Sequence, residues 1–392
     1  MPGFDIRFTS FSPFLFFEDY QRGKGCQGAT LPVGKKTMDR LIRWFVLGVG
    51  AAAVVVTFLP TIQSNQWWIR IWDFPRIQLS VVLAIALIAT TLTVPLRRLS
   101  TLLFMAVLAS ALVWQLHLIG RYTPIFSTEA KVVATCERDS QVRLLVANVL
   151  EENRNAEALL ALVHEVEPDV ILLVETDPWW ERHLEPLHAQ YPHFIGLPQN
   201  NGYGISLYSR FEMIDPEIRF LLKDYVPSIK TGLRLPSGAR IDLYGLHPEP
   251  PFLQDTARRD AELLIAGREV RLERPPAIVA GDLNDVAWSS TTRLFQERSG
   301  LLDPRIGRGP YSTFNANWPL LRWPLDHVFF EESFWLLEVA VMPDIGSDHF
   351  PFFVALCHDP AAARTQTAPH TNQSEVNNAQ EAIRKGKKEA RD

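Results

Sequence analysis

Three long stretches near the start of the chain contain no Asp, Glu, Lys or Arg: Trp44–Ile69, Ile77–Leu96 and Leu99–Gly120. A bilayer-spanning helix needs about 20 mostly apolar residues, and each stretch is long enough. The apolar part of the first ends near Leu59 and Pro60. An amphipathic helix of a soluble protein shows a polar stripe at 3.6-residue spacing. Val81–Thr90 and Leu102–Val113 are instead apolar or small on every side. The pattern predicts three transmembrane helices over 38–120 rather than three helices buried in a soluble core. The first is not read as a cleaved signal peptide, because no clear small-residue cleavage site follows it and two more spans do.

Beyond Gly120 the pattern changes. A linker, 121–141, leads into short apolar runs that alternate with helical stretches. Strands are predicted at Val142–Val146, Val170–Val174, Gly204–Tyr208, Arg240–Leu246, Ala277–Ala280, Leu325–Phe330 and Phe350–Leu356, with helices at Asn155–Glu165 and Thr256–Gly267. Strands mixed with helices over 142–358 indicate one α/β domain. Residues 359–392 are rich in Ala, Thr, Asn, Gln, Lys and Glu and are expected to be a disordered tail. Residues 1–37 are rich in Gly, Pro and scattered Phe without a period. They are expected to be a poorly ordered extension upstream of a natural beginning at Met38.

Charge adds an orientation. Lys35, Lys36, Arg40 and Arg43 precede the first span, and Arg97 and Arg98 lie between the second and third. The Lys/Arg bias makes both segments cytoplasmic, although the first loop also carries Arg70 and Arg76. Three spans then put everything after Gly120 outside the cytoplasm, which predicts a multi-pass inner-membrane protein with a periplasmic domain. Trp67, Trp68 and Trp72 in the first loop fit an interfacial aromatic belt. A net charge of −5 argues against a protein built to coat nucleic acid, and no Lys/Arg-rich stripe marks the domain.

The informative polar residues stand at the ends of the predicted strands. Asn148 follows LLVA and Glu175 follows ILLV; His247 follows DLYGL. Asp282 and Asn284 lie in AGDLND, Asp326 and His327 in PLDHVFF, and Ser347, Asp348 and His349 in GSDHFPF. Each has an ordinary alternative role as a turn residue, cap or surface charge. As a set they are rich in oxygen ligands and imidazoles and lack thiolates. That suits Mg²⁺ or Mn²⁺ rather than a structural zinc, and it suits phosphate ester hydrolysis.

These motifs, in the order VAN, LLVE, LYGLHP, GDLN, LDHVF and SDHFP, resemble the endonuclease/exonuclease/phosphatase superfamily with its deoxyribonuclease-I-like fold. The three spans are similar to those of a bacterial membrane-anchored branch. The resemblance covers about 142–357 and implies a two-sheet α/β sandwich. It implies that Glu175 holds the metal with Asn148 beside it, Asp348 contributing. Asp282 would position and activate water, and Asn284 would bind the scissile phosphate. His349 would stabilise the phosphoryl oxygens, with Asp326 fixing its tautomer, and His247 would contact the phosphate or help protonate the leaving group. Val174 stands where the family often has Gln, and Leu283 where Phe is common; both bear on the substrate, not on the reaction.

The expected function is a membrane-anchored, divalent-metal-dependent phosphoric ester hydrolase: phosphodiesterase, nuclease or phosphatase. Its substrate would be a lipid, a nucleic acid or a small phosphate ester, and no protein partner is expected. The opposing class is a non-catalytic membrane receptor or scaffold that kept the fold; its mark would be a missing site residue, and none is missing. The fold also implies antiparallel first and last strands. Cys136, ahead of the first, and Cys357, ending the last, are then either a disulfide or two unrelated thiols. Cys26 is expected on the cytoplasmic side and reduced.

Overall fold

The computed structural model describes residues 35–252, 254–273 and 276–391. Apart from its last three residues, the expected N-terminal extension lies outside the described residues, as does Cys26. Helix α1 (Lys35–Phe58) is followed by a short α2 (Trp67–Arg70), then α3 (Arg76–Thr93) and α4 (Leu99–Gly120). Three helical segments, Lys36–Thr61, Arg76–Thr93 and Leu99–Gly120, are long and apolar enough to cross a membrane. Ala53, Leu83, Ala86, Leu108 and Ala111 form their shared seam, while Ile85, Ile88, Leu92 and Val113 face outward and exposed. Inside the seam, Gln115 donates to Thr57 and accepts from Arg76, at 3.1 and 3.0 Å.

The domain follows as β1 (Gln141–Asn148), α5 (Ala156–Val166), β2 (Val170–Val174), α6 (Pro178–His183), β3 (His193–Leu197), β4 (Ile205–Ser209) and β5 (Glu212–Phe220). Next come β6 (Pro227–Arg234), β7 (Arg240–Gly245), α7 (Ala257–Glu273), β8 (Ala277–Asp282) and α8 (Ser290–Ser299). The last elements are β9 (Asp326–Phe330), β10 (Phe334–Val341), β11 (Phe352–His358) and α9 (Gln373–Glu389). They form two sheets, β10-β11-β1-β2-β4-β3 and β5-β6-β7-β8-β9. Between the sheets lies an apolar core in which Leu144, Val146, Leu172 and Val174 meet Ile241, Leu243, Ile278 and Val328. Because side chains alternate across a strand, the outer faces need cover too. Leu145 and Ile171 pack with Leu159 and Val163 of α5, and Val279 and Phe329 pack with Leu263 of α7 and Phe295 of α8. This is the predicted two-sheet α/β sandwich behind three apolar helices.

The expected disordered tail is a correction. Residues 373–389 form α9, capped reciprocally by Asn372 and Glu375, and Ala379, Ile383 and Gly386 are buried. The buried stripe is only Ala379, Ile383 and Gly386 at helical spacing, so composition hides it. Gly386 permits close packing on α7, since a Cβ there would lie 2.4 Å from the Ala257 carbonyl oxygen. The 121–141 segment also packs closely. Tyr122 and Ala130 are buried, and Glu129 accepts from Asp303 N at 2.8 Å. Cys136 and Cys357 are joined in a disulfide with Cα atoms 6.0 Å apart.

The apolar helices are docked on the domain, not tethered to it. Phe74 and Tyr122 share an apolar cluster with Val286, Trp288 and Leu325. Trp288 Nε1 donates to Asp73 O at 2.7 Å, and the Tyr122 hydroxyl donates to Ala287 O at 2.6 Å.

Candidate active site

Strand order explains why residues far apart in sequence meet. Parallel pairing sets Asn148 beside Val174, so Glu175 emerges next to Asn148. In the other sheet β8 runs parallel to β7 and antiparallel to β9, with Asp282 opposite Asp326. Antiparallel pairing of β1 with β11 puts Phe352 opposite Val146, which brings His349 to the same end. The turns are fixed locally. Glu175 and Asn284 both have left-handed backbones, φ 62° and 51°, and Asn284 N donates to Asp282 Oδ1 at 2.9 Å. Ser347 Oγ donates to Asn148 O at 2.8 Å and accepts from His349 N at 3.0 Å, tying the SDH turn to β1.

The side chains converge on one cleft. Asn148 Nδ2 donates to Glu175 Oε1 at 2.7 Å and to Asp282 Oδ2 at 3.0 Å. Asp282 Oδ2 stands 3.8 Å from His247 Nε2 and 3.6 Å from His349 Nε2. Behind the cleft, Asp326 Oδ2 lies 2.8 Å from His349 Nδ1. Glu175, His247, Asp282, Asn284, Asp348 and His349 line a cavity of about 490 Å³. The Asn284 amide is turned aside, donating to Pro248 O at 2.9 Å. His327 points away from the cleft, because neighbours on a strand face opposite sides. Its Nδ1 is 2.6 Å from Arg305 and its Nε2 2.8 Å from Asp285 O.

The electrostatics separate these groups. Burial, with Asp282 and Asp348 nearby, pushes the Glu175 carboxyl up to about 7 despite the Asn148 hydrogen bond. Burial likewise raises Asp348. His247 is lowered by burial, which outweighs the attraction of Asp282. His349 is the reverse: burial opposes its charge, but Asp326 and Asp282 hold it up at about 10. One histidine is therefore neutral and one charged at neutral pH. Glu175, His247 and Asp282 each offer a ligand atom within 4.8 Å of the others. A buried cluster of carboxylates with one neutral imidazole fits a hard divalent cation, whose charge would offset the burial and the carboxylate repulsion that raise Glu175.

Sequence reasoning missed the walls of the cavity. Asn201, Gly202 and Tyr203 line one side, and Ile71 and Phe74, from between the first two apolar helices, line another. The NNGYG run carries a readable signal: a Cβ at Gly204 would lie 1.6 Å from Thr176 O, so only glycine lets this loop close on the turn after Glu175.

Among solved structures, one of D. rerio TDP2 with single-strand DNA product is similar at 20% identity, covering 55% of this chain and 99% of that one, with a TM-score of 0.47. The human Nocturnin catalytic domain shares 17% identity over 57% of this chain and 96% of its own, TM-score 0.46. A Beutenbergia cavernae endonuclease/exonuclease/phosphatase shares 19% over 56% and 72%, TM-score 0.46. No curated protein matches the chain. The model of the Endonuclease/Exonuclease/phosphatase family matches residues 145–349, from within β1 to the histidine that Asp326 holds. That span takes in every strand end feeding the cleft, and the chain belongs to this family.

Proposed function

We propose that this chain is a membrane-anchored, divalent-metal-dependent phosphoric ester hydrolase whose domain lies outside the cytoplasm. What supports it most is the meeting of Asn148, Glu175, His247, Asp282 and His349 in one cleft, within a family of nucleases and phosphatases. Three apolar helices and the Lys/Arg bias support the anchoring and its orientation. The Cys136–Cys357 disulfide supports an oxidising compartment.

Glu175 would hold the cation with Asn148 and Asp348 beside it. When bound, Mg²⁺ or Mn²⁺ supplies Lewis-acid neutralisation of the phosphoryl oxygens. Asp282 Oδ2 faces the space between the two histidines and accepts the proton of the attacking water. His349, charged and held by Asp326, directs its Nε2–H at the charge that develops on phosphorus-bound oxygen. Neutral His247 donates to the phosphate, and Asn284, whose amide donates to Pro248 O in this structure, would turn to bind the scissile group. The test is hydrolysis of bis(p-nitrophenyl) phosphate by the full-length protein in detergent. Activity is expected with Mg²⁺ or Mn²⁺ and its loss with EDTA; hydrolysis that survives EDTA unchanged would overturn the proposal.

A further inference from the structure

The lining of the catalytic cavity is only partly polar. It also includes Ile71, Phe74, Phe252, Phe314, Trp323 and Leu325. A continuous run of ring contacts leads from the catalytic histidine to the start of the second span. His349 lies 4.9 Å from Phe314, Phe314 stacks on Trp323 at 5.9 Å, and Trp323 meets Phe74 edge-on at 5.8 Å. Phe74 stands two residues before α3, the second candidate span. The membrane anchor therefore supplies a wall of the active site.

The surroundings of the mouth are apolar as well. Gln78, in the first turn of α3, donates to Leu320 O at 2.9 Å, which fixes the 315–322 loop at the level where α3 begins. That loop exposes Trp318 at 64% and Leu320 at 85%. Across the mouth Phe252 is 63% exposed and packs edge-on against Trp67, 5.9 Å away. Exposed apolar side chains grouped around a cavity and level with a span end mark a lipid-contacting rim. A groove for single-stranded nucleic acid combines aromatics with cations that track the backbone. Among the described residues, the lining of this cavity has no Lys or Arg.

Resting on the proposed hydrolase reading, we infer that the substrate is an amphiphile: a phosphate ester bearing at least one long apolar chain, entered from the outer leaflet. Its phosphate sits among Asp282, His247 and His349, and the first methylenes of its chain lie against Phe74, Phe314 and Trp323. The remaining chain stays in the bilayer beside the 315–322 loop. In the reaction, water forms a new P–O bond and the ester P–O bond breaks. The leaving oxygen takes one proton, and the product phosphate carries the added oxygen.

The test uses full-length protein in nanodiscs with Mn²⁺ and a series of p-nitrophenyl alkyl phosphodiesters from ethyl to octyl. Burying each added methylene should raise kcat/KM about fourfold, so the series should span about three orders of magnitude. Phe252→Ser, at an exposed position, and Ile71→Ser should each flatten that slope. Trp318→Ser with Leu320→Ser should lower the ratio of turnover in phosphatidylglycerol vesicles to turnover of the ethyl ester. Turnover of the ethyl ester with no chain-length dependence would overturn the lipid inference and leave the hydrolase reading standing. Preference for a single-stranded oligonucleotide over the octyl ester would do the same in favour of nucleic acid. No turnover of any ester would overturn both.

Discussion

Replacing Asp326 with Asn removes a charge from behind His349 while keeping the shape of the side chain. Asp326 Oδ2 and His349 Nδ1 are 2.8 Å apart, and both residues are buried. Burial pulls the imidazole down, and Asp326, Asp282 and Asp348 lift it to about 10. Each pKa unit is about 1.4 kcal/mol, so a rise from 6.5 to about 10 is about 5 kcal/mol of preference for the charged ring. The folded-state pKa is raised, so this contribution is complete below the unfolded value near 6.5. It is lost as pH rises through about 10. In Asp326→Asn the new amide oxygen would still accept the Nδ1–H bond but leave burial opposed only by Asp282 and Asp348. The alkaline limb of kcat/KM, expected near pH 10 in the wild type, should therefore move toward neutral pH. Turnover at neutral pH should fall on the order of 10²-fold, the scale of losing a preorganised donor to developing charge, and recover as pH is lowered. The assay is a pH–rate profile on full-length protein with saturating metal, with circular dichroism to confirm folding. A folded variant whose alkaline limb stays at pH 10 would refute the role given to this pair.

Asp282→Ala should lower turnover by about 10²–10³ in a variant that circular dichroism shows to be folded; near-wild-type rates would remove Asp282 from the chemistry. Glu175 is raised to about 7, and a cation needs its carboxylate. Apparent Mn²⁺ affinity by calorimetry should thus weaken by about tenfold per pH unit below neutrality, whereas constant affinity there would contradict Glu175 as a ligand. The disulfide closes a loop with a sequence separation of 221, so Cys136→Ser should lower domain stability by about 2–4 kcal/mol; an unchanged denaturation midpoint in urea would count against it. Ile383→Asp should release α9 from α7 and expose the 360–391 segment to limited proteolysis, and protection equal to the wild type would show that the helix does not depend on this contact.

Strands buried on both faces were legible because they read as unbroken apolar runs: β2 as VILLV and β8 as AIVA. The missed strands are at or near sheet edges. All of β5 is exposed or half-buried, and Asp215 and Pro216 interrupt it where its pairing with β6 shifts; β3 is half-buried throughout. Neither offers an apolar run or a clean alternation. The polar half of the cleft was legible because each residue follows or precedes a readable strand. Its apolar half was not. Ile71 and Phe74 lie in the loop between the first two spans, and Phe314 and Trp323 lie between the strands predicted at Ala277–Ala280 and Leu325–Phe330. Packing of Phe74, Tyr122 and Trp288 in one cluster shows that the apolar-helix region and the domain share a wall. Asp326 and His327 are adjacent in sequence, and strand alternation sends one to His349 and the other to Arg305.

The central claim is that water attacks phosphorus in the cleft held by Asp282 and His349. Its most direct measurement is turnover of a soluble phosphodiester by the full-length protein in ¹⁸O-labelled water with Mn²⁺, followed by mass spectrometry of both products. One ¹⁸O per turnover in the phosphate product and none in the released alcohol is predicted, with the rate of incorporation lowered by about 10²–10³ in Asp282→Ala. Label in the alcohol, or incorporation into the phosphate at an undiminished rate in that variant, would contradict it.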